Sequence, residues 1–137
     1  MSRTQHRYAR GDLVVVVDCA DLERAARFWA GALGYASAGG ADGTRYRSLL
    51  PADGLGIEVP LQLTDDAKHG KNRVHLDLRT RDLDAEVRRV TALGATVLTS
   101  SPVGEHGWAW QVLADPDGNE FCVLQPPADY WSEPYRA

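Results

Sequence analysis

The chain is poor in cysteine. It has two, Cys19 and Cys122, far apart and outside any CxxC pair. That argues against a disulfide framework and leaves both thiols as expected small buried side chains. Long apolar runs are also missing. The longest, LVVVV at 13–17, falls well short of the roughly 18–20 residues a membrane span needs, so no membrane partner is expected. Positive charge is not in excess: 15 Lys and Arg against 19 Asp and Glu give a net charge of −4, with no basic block, which argues against nucleic acid. The N-terminal stretch MSRTQHRYARGD lacks the apolar core of a secretion signal, and a cytoplasmic location is the expectation. What is present is ordinary for a globular domain with a real core: 137 residues, of which 44% are hydrophobic.

LVVVVD (13–18) is a continuous β-branched run and reads as a buried strand. DLERAARFWAGALG (21–34) follows with Leu22, Ala25, Ala26, Trp29 and Leu33 at helical spacing. Asp18 or Asp21 can cap its start, and Gly34 suits its exit. Short strands are expected near 35–38, 44–50 and 55–64, separated by the turn-rich AGGADG and PADG. The plan then recurs. NRVHLDLR (72–79) alternates, with Val74, Leu76 and Leu78 on one face and Arg73, His75, Asp77 and Arg79 on the other. DLDAEVRRVTALGA (82–95) is an amphipathic helix with Leu83, Val87, Val90 and Leu93 on its apolar side. ATVLTS, GWAWQVLAD and NEFCVLQ read as three more strands, the last two joined by the turn sequence DPDGN. The order is βαβββ twice, with helices that share a DL start and an ALG end, as in a duplicated module.

Three segments, DLERAARFWAGALGY, KNRVHLDLRTRDLDAEVRRVTALGA and WQVLADPDGNEFCVLQP, together give the chain a family likeness. It resembles the vicinal oxygen chelate superfamily (glyoxalase/bleomycin resistance/dioxygenase), and within it the glyoxalase-like domain subgroup. The likeness covers roughly residues 11–126, with modules at about 12–64 and 73–125 and an aromatic tail at 127–137. It implies an α+β fold in which tandem βαβββ modules form a half-open eight-stranded cup, with helices on the convex side and a ligand or metal in the concave side. A homodimer is implied as well.

Metal-dependent members place a ligand on the first and last strand of each module. The first-strand position lies seven residues before the helix-start Asp, which falls on His75 before Asp82 but on Val14 before Asp21. The last-strand positions fall on Cys122 and on Gln62, with Glu58 on the same face as an alternative. His75, Gln62 and Cys122 would be the donors if a divalent metal were present. Val14 offers nothing, and the remaining set suits a hard cation badly and falls short of a three-ligand zinc site. No metal or other cofactor is therefore expected. His75 has two other readings: a strand residue hydrogen-bonded between Arg73 and Asp77, or a ligand-facing proton-transfer group tuned by Asp77.

If His75 faces the cup, so do Val14 and Val16, then Glu58, Pro60 and Gln62, then Glu120, Cys122 and Leu124. Trp108 and Trp110 share one strand face and could stack on a flat ligand, or serve as core and loop cover. Trp29 reads as core. Glu120 and Asp117 read as solvated turn residues. Cys122 as a nucleophile would need a nearby base, such as His75, and a depressed pKa. The tail PPADYWSEPYRA holds Tyr130, Trp131 and Tyr135 and is expected to pack back onto the domain. The leading expectation is a small-molecule-binding protein that works without metal, by sequestration or by metal-free isomerase or lyase chemistry. The ligand-binding candidates are Val14, Glu58, Gln62, His75, Trp108, Trp110 and Cys122, with His75 the catalytic candidate. Two alternatives are a metal-dependent lyase, isomerase or dioxygenase using His75, and an interaction module with a self-filled cup. Polar residues at the cup-facing positions argue against the last.

Overall fold

The computed structural model describes residues 13–38 and 44–132. Among these residues it has two α-helices and nine strands, an α+β chain. The chain divides into two compact units, residues 1–67 and 68–137. No helix among the described residues is long and apolar enough to cross a membrane.

The first unit runs β1 (Val17–Cys19), α1 (Leu22–Leu33), β2 (Tyr35–Ala38), β3 (Tyr46–Pro51) and β4 (Val59–Leu63). Its sheet has the order β1-β4-β3-β2, with β1 parallel to β4 and the other pairs antiparallel. Asp21 is the N-cap of α1, accepting from the Arg24 N–H at 3.0 Å. Gly34 ends the helix in the left-handed region, φ 70°, which a side chain would resist. Ala25, Ala26, Phe28, Trp29 and Ala32 of α1 are buried, with Phe28 edge-on to Trp29 at 5.1 Å, and share the core with Leu49 and Leu61 of the sheet, while Leu22 and Leu33 are half-buried. Trp29 is core, as its helical spacing indicates.

LVVVVD is not a continuous buried strand. Val17 and Cys19 are buried, whereas Val14 and Val16 are 39% and 48% exposed. Within this unit the helix covers one face of the sheet, so alternate residues of the run point away from it. Only residues 17–19 join the ladder, although the Val15 N–H still reaches the Glu58 carbonyl at 3.2 Å. β4 likewise starts at Val59 rather than 55, because Asp53 holds the Leu55 N–H in a turn.

The second unit runs β5 (Leu76–Arg79), α2 (Leu83–Leu93), β6 (Thr96–Val97), β7 (Val103–Glu105), β8 (Trp108–Ala114) and β9 (Glu120–Gln125), then a 3₁₀ turn over Ala128–Ser132. The sheet order is β5-β9-β8-β6, with β5 parallel to β9 and β7 also on β8. β6 pairs with the end of β8 and β7 with its beginning, so one edge is divided between two short strands. The expected strand over ATVLTS is thus only two residues long. β7 and β8 are joined by His106 and Gly107, both with positive φ (52° and 84°), the geometry of a tight hairpin turn. A Cβ on Gly107 would also approach Pro127 to 3.2 Å.

Asp82 caps α2 through the Ala85 N–H at 3.1 Å, and Gln125 takes the Leu83 N–H at 2.8 Å, tying the helix start to the end of β9. Leu83, Val87 and Val90 pack on Leu113, Phe121 and Val123, while Leu93 at the helix end is 38% exposed. In the DPDGN turn, Asp115 is 3% exposed and accepts from the main-chain N–H groups of Asp117 and Asn119 and from the Asn119 amide.

β5 begins at Leu76, not at residue 72, and Val74 is 81% exposed rather than core-facing. The segment before it is diverted by side-chain bonds. Glu120 accepts from the Asn72 main-chain N–H at 3.0 Å and pairs with Lys68 at 2.9 Å. The Asn72 side-chain amide bonds the Glu120 main chain as well. Glu120 is therefore an anchor and not a solvated turn residue; its side chain is only 18% exposed.

Candidate functional site

In each unit one sheet face carries the helix and the other carries the polar candidates. In the first unit, Val14, Glu58 and Gln62 all lie on the face away from α1. The Glu58 carboxylate accepts from the Ser48 hydroxyl at 2.6 Å. Gln62 is half-buried between its neighbours Asp18 and Tyr46.

In the second unit, Asp77, Cys122, Val112 and Trp110 lie on the face away from α2, through the pairs Asp77↔Cys122, Val112↔Cys122 and Trp110↔Leu124. His75 stands just before β5. It lines a small hollow of about 40 Å³ with Cys122, Val112, Phe121, Glu120 and Lys71. A second, larger and more open hollow of about 240 Å³ is lined by Lys71, Asn72, Arg73 and His75. Lys71 and His75 border both.

His75 is not hydrogen-bonded between Arg73 and Asp77. Its Nε2 lies 3.0 Å from the Asn72 carbonyl oxygen. A carbonyl only accepts, so Nε2 carries the proton and Nδ1 is the nitrogen left open when the ring is neutral. Asn72 is itself held by Glu120, and Glu120 by Lys68. The ring is thus oriented through the main chain of one residue, Asn72, by a carboxylate that lies far along the chain. The Lys68 ammonium, then the Asn72 N–H, hold the Glu120 carboxyl down to about 2 from 4.5.

Cys122 shares the hollow with His75 but bonds elsewhere. It is half-buried rather than buried, and free. Burial pushes its thiol pKa up, and the neighbouring Asp77 charge and its hydrogen bond push it further, with Lys71 partly opposing. This is the reverse of what a nucleophile or a thiolate ligand requires. Asp77 acts on Cys122.

The fit to a divalent metal is poor on the chemistry of the donors. Val14 has no donor atom, Gln62 offers a neutral amide, and Cys122 is held as the thiol. Among the described residues no group of three or more His, Cys, Asp or Glu is placed to hold a metal ion.

Trp108 is engaged by the tail. Tyr130 stands edge-on to it at 5.5 Å, and Arg79 lies over both rings and reaches the Tyr130 hydroxyl. Arg81 covers Trp131 at 4.5 Å. The tail over 128–132 packs onto its own module; Tyr135 lies outside the described residues. Trp110 is half-buried on the same face, beside Val103 and Leu124.

Lys71, Asn72 and Val112 were not singled out by residue type. Alternation from Trp110 could have found Val112. Lys71 and Asn72 belong to the KNRVH bend, which reads as strand in the sequence.

The profile of the family described as Glyoxalase-like domain matches residues 14–124. No curated protein matches the chain. Among solved structures, the chain is similar to a glyoxalase/bleomycin resistance protein/dioxygenase family enzyme from Burkholderia phytofirmans, at 17% identity and TM-score 0.67, over 82% of this chain and 95% of that one. It is similar to the fosfomycin resistance protein FosX from Mesorhizobium loti, at 18% identity and TM-score 0.66, over 90% and 98%. FosX from Listeria monocytogenes, solved with Mn(II) and a dihydroxypropylphosphonic acid, gives 15% identity and TM-score 0.67 over 89% and 94%. At these identities the structural likenesses speak for the fold alone. With the profile spanning most of the sequence, the two βαβββ modules are those of a known family: the chain belongs to the glyoxalase-like domain family of the glyoxalase/bleomycin resistance/dioxygenase (vicinal oxygen chelate) superfamily.

Proposed function

We propose that the protein binds a small organic molecule at the hollow bordered by His75, Lys71 and Cys122, without a metal. Its output is sequestration or a metal-free isomerisation or elimination. The observation that carries this reading is the state of the donors: His75 is oriented by Asn72 with one nitrogen open, while Cys122 is held as a thiol. A neutral imidazole with a fixed tautomer accepts a hydrogen bond or a proton from a bound molecule. The apolar surface of Val112 supplies much of the rest of the lining. A homodimer belongs to the same reading, on the strength of the family resemblance, and a cytoplasmic location is proposed with it.

The alternative is a metal-dependent lyase, isomerase or dioxygenase built on His75. The Listeria relative carries Mn(II), but here the first-module position is Val14 and the last-strand position is a thiol with a raised pKa.

The test is the metal content of protein purified without added metal, with His75→Ala alongside. Metal at a small fraction of the protein, unchanged in the variant, is expected. Near-stoichiometric Zn, Ni, Mn or Fe that disappears in His75→Ala would overturn the metal-free reading.

A further inference from the structure

The two hollows that meet at Lys71 and His75 differ in chemistry. The smaller has an apolar floor of Val112 and Cys122. The larger is lined by Lys71, Arg73, His75 and Asn72, with no acidic side chain among its lining. Among the described residues no carboxylate pairs with Lys71 or Arg73. Two carboxylates stand near the smaller hollow. Glu120 is neutralised by Lys68 and turned onto the Asn72 N–H, and Asp77 stands beside Cys122 as its ladder partner. The two cations Lys71 and Arg73 meet only in the larger hollow, and the Asp77 charge keeps an anion away from the apolar floor.

We infer that the ligand is a small amphiphilic organic anion. Its carboxylate, phosphate or phosphonate head lies at Lys71 and Arg73, beside His75, and its apolar body lies over Val112 and Cys122. This rests on the small-molecule reading above and adds the ligand's class and orientation. Unpaired cations beside an apolar floor select for this combination, since a neutral body gains nothing from the ammonium and guanidinium, and a cation is repelled by them.

The test uses the full chain and three probes of one shape: phenylacetate, phenylacetamide and phenethylamine. Each is titrated into ¹⁵N-labelled protein, with and without EDTA. Phenylacetate is expected to shift the amides of residues 71–75 and of Cys122, and to bind about tenfold more tightly than phenylacetamide, as one charge-assisted contact gives. The gap narrows with added salt. In the Lys71→Ala/Arg73→Ala double variant, whose own spectrum reports whether it is folded, phenylacetate binds no better than phenylacetamide. Equal or tighter binding of phenylacetamide or phenethylamine at these amides would overturn the anion preference and leave the small-molecule reading standing. Unchanged phenylacetate binding in the folded double variant would do the same. Shifts from none of the three probes would remove both. Phenylacetate binding that vanishes with EDTA would keep the anion preference and remove metal independence.

Discussion

Glu120 shows what a single side chain does here. Its two carboxylate oxygens fix Lys68 and Asn72, and Asn72 fixes His75. In the fold its carboxyl titrates at about 2, against 4.5 ordinarily. The folded-state value is the lower one, so the carboxylate contributes stability at higher pH that is lost on acidification. Between pH 4.5 and about 2 the unfolded chain takes up a proton that the folded protein does not. Urea unfolding across that window should show stability falling with pH, and Glu120→Gln should flatten that dependence. The same variant should loosen the His75 ring, seen as broadened imidazole signals. An unaltered acid limb would mean the anchor contributes nothing. Glu120 was not legible as an anchor because its partners lie 48 and 52 residues away in the sequence. His75 and Cys122 were legible as candidates for one sheet face by alternation, but nothing in the sequence put them in contact. Their bonding was not legible either, since each takes a partner outside the strand pattern that singled it out.

At the scale of elements, turns and caps are where this sequence is most explicit. Asp21 and Asp82 cap as their spacing indicates, and DPDGN makes the β8–β9 turn. Asp115 carries that turn: it is buried and accepts three hydrogen bonds from Asp117 and Asn119. Asp115→Ala leaves those donors to find water or go unpaired, at a cost of about 3 kcal/mol. The denaturant midpoint checks this; a loss below about 0.5 kcal/mol would mean the turn holds without the carboxylate. Strand limits were read less well, twice for the same reason. At 55–58 and 72–75 the residue types favour a strand, but Asp53 and Glu120 hold the backbone in other bonds. The hairpin at His106–Gly107 was missed because histidine is uncommon at a positive φ.

For the molecule as a whole, the duplicated plan was visible because each helix repeats the same start and end around its own core. The cores differ in make-up. The first unit relies on Phe28 and Trp29 from its helix, the second on Phe121, Leu113 and Val123 from its sheet. The second unit also draws on the tail. Tyr130→Ala removes two ring contacts, with Trp108 and Trp131, and the Arg79 contact. The expected outcome is a loss of about 2 kcal/mol, a red shift in tryptophan emission and faster proteolytic trimming of the tail. Emission and trimming that match the parent protein would mean the tail is not held by these rings.

The divided edge of the second sheet bears on crowding rather than on ligands. β6 and β7 offer an approaching chain only two and three residues of main chain, at opposite ends of β8. Strand addition needs a longer uninterrupted ladder of free N–H and C=O groups to nucleate. That side of the sheet is therefore a poor template, and runaway edge-to-edge growth has little to start from there.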